Sequence, residues 1–294
     1  MVWFRNIGFM SGGNLPNLTG LISASGAVRK LWKMDNATKA FTPVDIPSGF
    51  YDVSVMFPYA PYCSTETPGL VGSSISLNAS TAPLQIYNAL TGQVHNGPQC
   101  VCCCVDTSLR HIYYGVGTNI FEYDPETQVS TLKASLTNSP QFILRDASGS
   151  FYYVSKGTAW LYKHVSGVDQ KITLQSTDDH PLNGGTSPLA AFHYNASLDA
   201  FVFSQYGSYV YLVDVRASKI TKVTALDPVQ KWYGLALSSD YRLAASWYYH
   251  GNDGKRSNIY LGEISQDLEV LSMAPVGDSW TSTNGSYGLT FYKE

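Results

Sequence analysis

Charge is scarce in this chain. Asp, Glu, Lys and Arg make up 14% of its 294 residues, against about 25% in ordinary soluble domains. The 19 basic and 22 acidic side chains leave a net charge of -3, so the electrostatic footprint of a nucleic-acid binder is missing. No apolar run approaches the roughly 18 residues that a membrane-spanning helix needs. The opening stretch, Met1 to Gly13, holds one Arg and no apolar core of the secretory-leader kind. The chain is therefore expected to act where it is made, or to leave by assembly or lysis. Helical i, i+3, i+4 spacing is rare throughout, which argues against a helical fold.

Apolar and aromatic residues are abundant. Hydrophobics reach 44% and aromatics 13%, with 21 Tyr, which is ample for a core and excludes disorder. The length is near the upper limit for one hydrophobic core. The five cysteines, Cys63, Cys100, Cys102, Cys103 and Cys104, all fall in one short region, unlike the spread of a disulfide-framed secreted domain. On a strand Cys100, Cys102 and Cys104 share one face and Cys103 takes the other. Neighbours at i and i+2 do not meet relaxed disulfide geometry. Three readings stay open: small residues packed in an inner strand, a bridge from Cys63 to one of the others, or a metal site. For the last, no CxxC or HxxxH partner elsewhere completes a ligand set.

Short alternating runs broken by Gly, Ser, Asn and Asp recur along the chain, and they repeat. The unit is a strand, a polar hairpin and a second strand, then a turn at an acidic or amide residue into a third strand. It begins at Leu21, His111, Phe151, Phe201 and Ala245, with a degenerate copy from Leu84. With Asp35, Asn88, Asp124, His164, Asp214 and Glu263 as turn anchors, the spacings are 53, 36, 40, 50 and 49 residues. Propeller blades repeat at about 40–50 residues. Apolar runs suited to innermost strands precede five units, at FYDVSVM, CVCCCV, QFILR, LAAFHY and WYGLALS. The first unit lacks one, and the C-terminal SYGLTFYKE repeats the Tyr-Gly-Leu of Tyr233–Leu235. This predicts an all-β, six-bladed β-propeller over residues 16–294, its ring closed by the C-terminal strand joining the N-terminal blade. Closure removes exposed sheet edges. Residues 1–15 form an arm outside the ring. VYLVDVRASKITKV and IFEYDPETQVSTL resemble blades of the YVTN and WD-repeat class. The WD dipeptide and Gly-His signature are missing, so no family function is carried over.

Catalytic signatures are thin. There is no GxSxG elbow. Gly251 to Lys255 has two residues between its glycines where a phosphate loop needs four, and it reads as a solvated hairpin turn. Asp boxes of the sialidase type are absent, and the acidic residues Asp35, Asp124, Glu126 and Asp214 fall at outer turns, not as paired carboxylates at an axial mouth. Asp178, Asp179 and His180 are three consecutive potential ligands in a loop between blades. They read as a cation site or as a solvated loop. His193 lies on a proposed inner strand and reads as a channel-facing base or as a packed, satisfied histidine. Sequons at Asn17, Asn36, Asn78, Asn195 and Asn284 are expected to stay unmodified. No cofactor is expected.

What remains is surface character. Low charge with much Tyr, Ser, Thr, Asn and Gly suits rigid contact surfaces. The arm carries Trp3, Phe4, Ile7, Phe9 and Met10, an apolar set expected either to pack on the ring or, the favoured reading, to dock into a neighbouring subunit. In composition and scale the chain resembles β-rich proteins of phage tails, including the propeller portions of podovirus tail nozzles. That resemblance implies a non-enzymatic virion component, assembled in the host cytoplasm, which touches other virion proteins and host surface glycan. The alternatives are a carbohydrate-binding or carbohydrate-cleaving propeller, with aromatics at the axial mouth, and an intracellular interaction scaffold.

Overall fold

A computed structural model describes residues 20–25, 30–45, 50, 53, 55–65, 67–73, 81–176, 180, 182, 189–205, 209–226, 232–251, 254–280 and 286–292. They form six four-stranded sheets, all pairs antiparallel. One sheet holds β4 (Val55–Pro58), β5 (Leu70–Ser73), β6 (Ala82–Asn88) and β7 (Gln93–Cys100). The next holds β8 (Cys102–Val105), β9 (Ile112–Val116), β10 (Asn119–Asp124) and β11 (Val129–Ser135). Then come β12 (Pro140–Arg145), β13 (Phe151–Ser155), β14 (Leu161–Val165) and β15 (Val168–Lys171). A fourth comprises β16 (Leu189–Asn195), β17 (Ala200–Gln205), β18 (Val210–Asp214) and β19 (Lys219–Lys222). The fifth comprises β20 (Trp232–Leu237), β21 (Arg242–Gly251), β22 (Gly254–Ile264) and β23 (Val270–Trp280). In the last, β24 (Ser286–Tyr292) pairs with β1 (Gly20–Ser25), which continues to β2 (Lys30–Met34) and β3 (Phe41–Asp45).

The fold is an all-β propeller. Burial falls off toward the last strand of a sheet: β4, β5, β8 and β13 are buried throughout, whereas β11 and β15 are largely exposed. The leading strands of the sheets pack on one another, β24 against β4 and β20, β8 against β4 and β12, and β16 against β12 and β20. Four of the expected inner runs become β8, β12, β16 and β20, and the run from Phe50 supplies β4 three residues further on than its midpoint suggests. Among the described residues no helix is long and apolar enough to cross a membrane.

Local chemistry explains the outer hairpins. Asp35 Oδ1 accepts from the Ala37 and Thr38 amides at 2.9 and 2.7 Å, Asn88 Oδ1 from Leu90 at 3.0 Å, Asp124 Oδ1 from Glu126 at 2.9 Å, and Asp214 Oδ1 from Ala217 at 2.9 Å. Four residues after each anchor the chain takes a positive φ, at Lys39, Gly92, Gln128 and Ser218. The short side-chain acceptor thus closes the same turn in four sheets. His164 and Glu263 do not act this way. His164 lies within β14, where the turn is Ser166-Gly167 with φ of 50° and 81°, the two positive values a tight hairpin needs. Glu263 lies within β22, and the following turn is held by Ser265, whose Oγ accepts from Glu269 N at 3.0 Å.

Packing repeats as well. Tyr114 with Phe121, Tyr153 with Tyr162, and Phe203 with Tyr211 are register partners in three successive sheets. Each pair stacks at 5.1–5.4 Å with rings 14–20° from parallel, a contact worth about 0.5–1.5 kcal/mol beyond its buried area. The four cysteines of the inner run are buried and all five are free thiols. Cys103 Sγ reaches Ser73 Oγ of the neighbouring sheet at 3.3 Å, and burial pushes its pKa up to about 12, so the thiol stays protonated. Cys102 on the other face sits opposite Gly115. A Cβ there would meet Cys102 Sγ at 2.8 Å and Pro140 at 3.0 Å. Gly115→Ala should therefore cost about 1–3 kcal/mol in urea denaturation through overpacking. Adding Cys102→Ala should recover part of that loss; an unchanged midpoint in the single variant would show that the strand has room.

Candidate functional site

The ends of β4, β8 and β16 surround a small axial depression, lined by Phe57, Pro58, Val105, Leu109, Tyr194 and Ala196 among others. At its base lies His193, 1% exposed. The Leu237 amide of β20 donates to His193 Nδ1 at 3.2 Å, so that nitrogen carries no proton. Nε2 therefore bears the hydrogen and donates to Thr290 Oγ1 of β24 at 3.2 Å. The Thr290 hydroxyl in turn donates a hydrogen bond to the Phe291 carbonyl at 3.3 Å. The Phe57 ring of β4 stacks on the imidazole at 5.8 Å and 19°. Burial depresses the imidazole pKa to about 3. A neutral, fully satisfied ring thus ties four sheets together, and the packed reading of His193 is the one its geometry fits.

The same seam carries two further bonds. Asn195 Nδ2 donates to the Leu237 carbonyl at 3.0 Å while its Oδ1 accepts from Ser197 N at 2.9 Å, and Ser204 Oγ donates to the Trp232 carbonyl at 2.8 Å. The carboxylates around the mouth are already partnered, and Asp146 and Asp199 also face Lys163 at 3.7 Å and Arg216 at 3.4 Å. Asp106 accepts from the Arg110 and His111 amides at 2.9 and 3.0 Å, Asp146 from Ser150 N at 2.8 Å, and Asp199 from Tyr194 OH at 3.0 Å. The Arg145 guanidinium lies 4.6 Å over the Tyr113 ring and 5.4 Å from that of Phe151, and donates to the Tyr113 hydroxyl.

A second polar cluster escaped the sequence reading. His164 Nδ1 sits 2.6 Å from Asp169 Oδ1, and Asp169 Oδ2 accepts from Tyr153 OH at 2.8 Å and Thr137 N at 2.6 Å. Burial raises the Asp169 carboxyl, but the Thr137, His164 and Tyr153 hydrogen bonds outweigh it, so the net shift is downward. The two residues are register partners across a two-residue turn, a five-residue spacing that was the available signal.

Asp178 and Asp179 lie outside the described residues, as do Trp3, Phe4, Ile7, Phe9 and Met10. His180 is described and partly buried. Among the described residues no three His, Cys, Asp or Glu side chains gather as metal ligands would.

No protein-family model matches the chain, and no curated protein does. Among solved structures it is similar to Kuenenia stuttgartiensis hydrazine synthase, with a TM-score of 0.49 and 13% identity over 80% of this chain and 70% of that one. No residue role is carried over from that likeness.

The hub makes stability depend on pH with a definite sign. The unfolded imidazole titrates near 6.5 and the folded one near 3, so between those values the unfolded chain binds more protons and stability falls as pH drops. The His193 contribution to the slope approaches about 1.4 kcal/mol per pH unit. His193→Gln, which cannot titrate, should show a shallower slope over that window in denaturation at stepped pH. Equal slopes would remove His193 from the account.

Proposed function

We propose that this chain is a non-enzymatic structural or adsorption component of a virion, in the manner of phage tail proteins, acting through protein–protein contacts. In this reading the six sheets are six YVTN-like blades of one ring, with β24 as its closing strand. The carrying observation is how the polar groups at the axial end are used. His193 is satisfied on both nitrogens, the carboxylates of Asp106 and Asp146 hold loops, and that of Asp199 takes the Tyr194 hydroxyl and Arg216. Such a centre serves rigidity, which is what an assembly part needs. The pairing of β24 with β1 and its packing on β4 and β20 support the ring. The low charge and the apolar residues of the first 15 positions support docking into neighbouring virion proteins in the host cytoplasm.

Two variants test the reading. Removing residues 1–15 should leave the thermal melt of the ring unchanged yet abolish incorporation into particles, scored by immunogold labelling at one particle end. Normal incorporation would overturn the assembly role of the arm. Removing residues 286–294 should uncover the edge of β1 and strip Thr290 from His193, giving aggregation or a much lower melting temperature. A ring as stable as the full chain would count against closure by β24.

A further inference from the structure

The open apolar side chains are not scattered. Among the described residues Leu90, Val129, Leu132, Val168 and Leu271 are the large ones left between 53% and 65% exposed. Four of them hold one structural position. Leu90 lies in the turn from β6 to β7, Val129 opens β11, Val168 opens β15, and Leu271 is the second residue of β23. Each stands at the turn from the third to the fourth strand of its sheet, and Leu132 continues the strand that Val129 opens. In an antiparallel meander that turn lies at the end where the leading strand finishes. The leading strands finish together. Pro58, Val105 and Asn195, the last residues of β4, β8 and β16, line the axial depression, and His193 takes the amide of Leu237, the last residue of β20. Arg145, the last residue of β12, bonds Tyr113, the register partner of Cys104. The four apolar teeth therefore share the outer rim of one end.

The same rim is electronegative. From the last residue of the third strand to the first of the fourth, the six turns hold Asp35, Asp124, Glu126, Asp214, Asp267 and Glu269 against Lys39, Arg216 and Lys219. That balance of -3 equals the net charge of the whole chain. Lys219 pairs with Glu269 at 3.7 Å and Arg216 with Asp199 of an inner turn at 3.4 Å. The other five carboxylates have no ion pair among the described residues. The Thr38 amide holds the Asp35 carboxyl below its ordinary range, and the Thr127 hydroxyl does so for Asp124, so their charge persists at neutral pH.

We propose that this rim is the docking face for a protein partner with a broad, basic contact surface. The proposal deepens the assembly reading and rests on it in taking the partner to be a protein. A fourth strand lies about 14 Å outside its leading strand, at three spacings of about 4.8 Å. A disc of that radius covers roughly 600 Å² before the axial centre is added, on the scale of the ~800 Å² per partner of a stable interface. The teeth supply apolar area to be dehydrated. The carboxylates between them favour positive charge and repel a second copy of the same face.

The test places the photo-crosslinker p-benzoylphenylalanine in turn at Leu90, Val129, Val168 and Leu271 of the full chain. Thr118 and Lys156, in second-to-third-strand turns at the opposite end, serve as controls. Irradiation in the producing cells should give one and the same protein adduct from all four rim positions, joined through Lys- and Arg-rich peptides, and none from the controls. Glu126→Gln combined with Asp267→Asn, whose carboxylates close no turn, should lower the yield at Val168 several-fold while the melting temperature holds. No adduct, different adducts from the four positions, an adduct with a second copy of this chain, equal yield from the controls, or a yield indifferent to the double variant would each overturn the proposal. The expected adduct with a protein absent from particles would support this face and sink the virion reading alone.

Discussion

A single neutral imidazole holds the centre of this molecule. His193 accepts an amide from β20, donates to a hydroxyl on β24, rides on β16 and stacks against Phe57 of β4. Antiparallel hydrogen bonds hold each sheet internally, whereas between sheets the described residues show only scattered backbone bonds, such as Ala60 N to Leu109 O at 2.9 Å and Ile220 N to Gln175 O at 3.0 Å. Side chains supply the rest of the cohesion, mostly through apolar packing. A directional bond at the point where four sheets converge adds what packing lacks, a fixed register between them. It does so only while the ring is neutral, because a proton on Nδ1 would face the Leu237 N–H. The apolar surroundings that suppress protonation therefore also preserve the geometry.

The rest of the polar inventory is used in the same economical way. Asp35, Asn88, Asp124 and Asp214 close outer turns, Asp106 and Asp146 close inner ones, and Asp169 collects three donors beneath β14 and β15. A chain with few charges spends its carboxylates on backbone amides, which would otherwise be left without partners at hairpin tips. That use makes the axial end a rigid construction in place of a set of free acids, and it is the physical basis for reading the protein as an assembly part.

Much of the architecture was legible because it is local. The Asx anchors, the apolar inner runs and the returning Tyr-Gly-Leu motif of the C-terminal strand each depend on residues within one hairpin or on a repeat of one. Legibility failed where a local rule had two solutions. The repeat spacing marks His164 as a turn anchor, but Ser166-Gly167 makes its own tight turn and frees the histidine to pair across the strands with Asp169. The stretch from Gly251 to Lys255 reads as an ordinary solvated turn, whereas Gly254 and Lys255 continue a strand, because β-pairing persists as long as two backbones stay in register.

Composition and periodicity by themselves determined the strand content, the repeat, the inner runs and the chemistry of the outer turns, since each is decided by neighbours a few residues apart. Tertiary structure alone decided which polar groups meet. The partners of His193 lie 44 and 97 residues away, and Cys103 finds Ser73 across 30. No local pattern encodes such a meeting. It arises because the leading strands of different sheets pack on one another and bring their ends together, and the burial that sets the tautomer and the protonation state exists only in the folded chain.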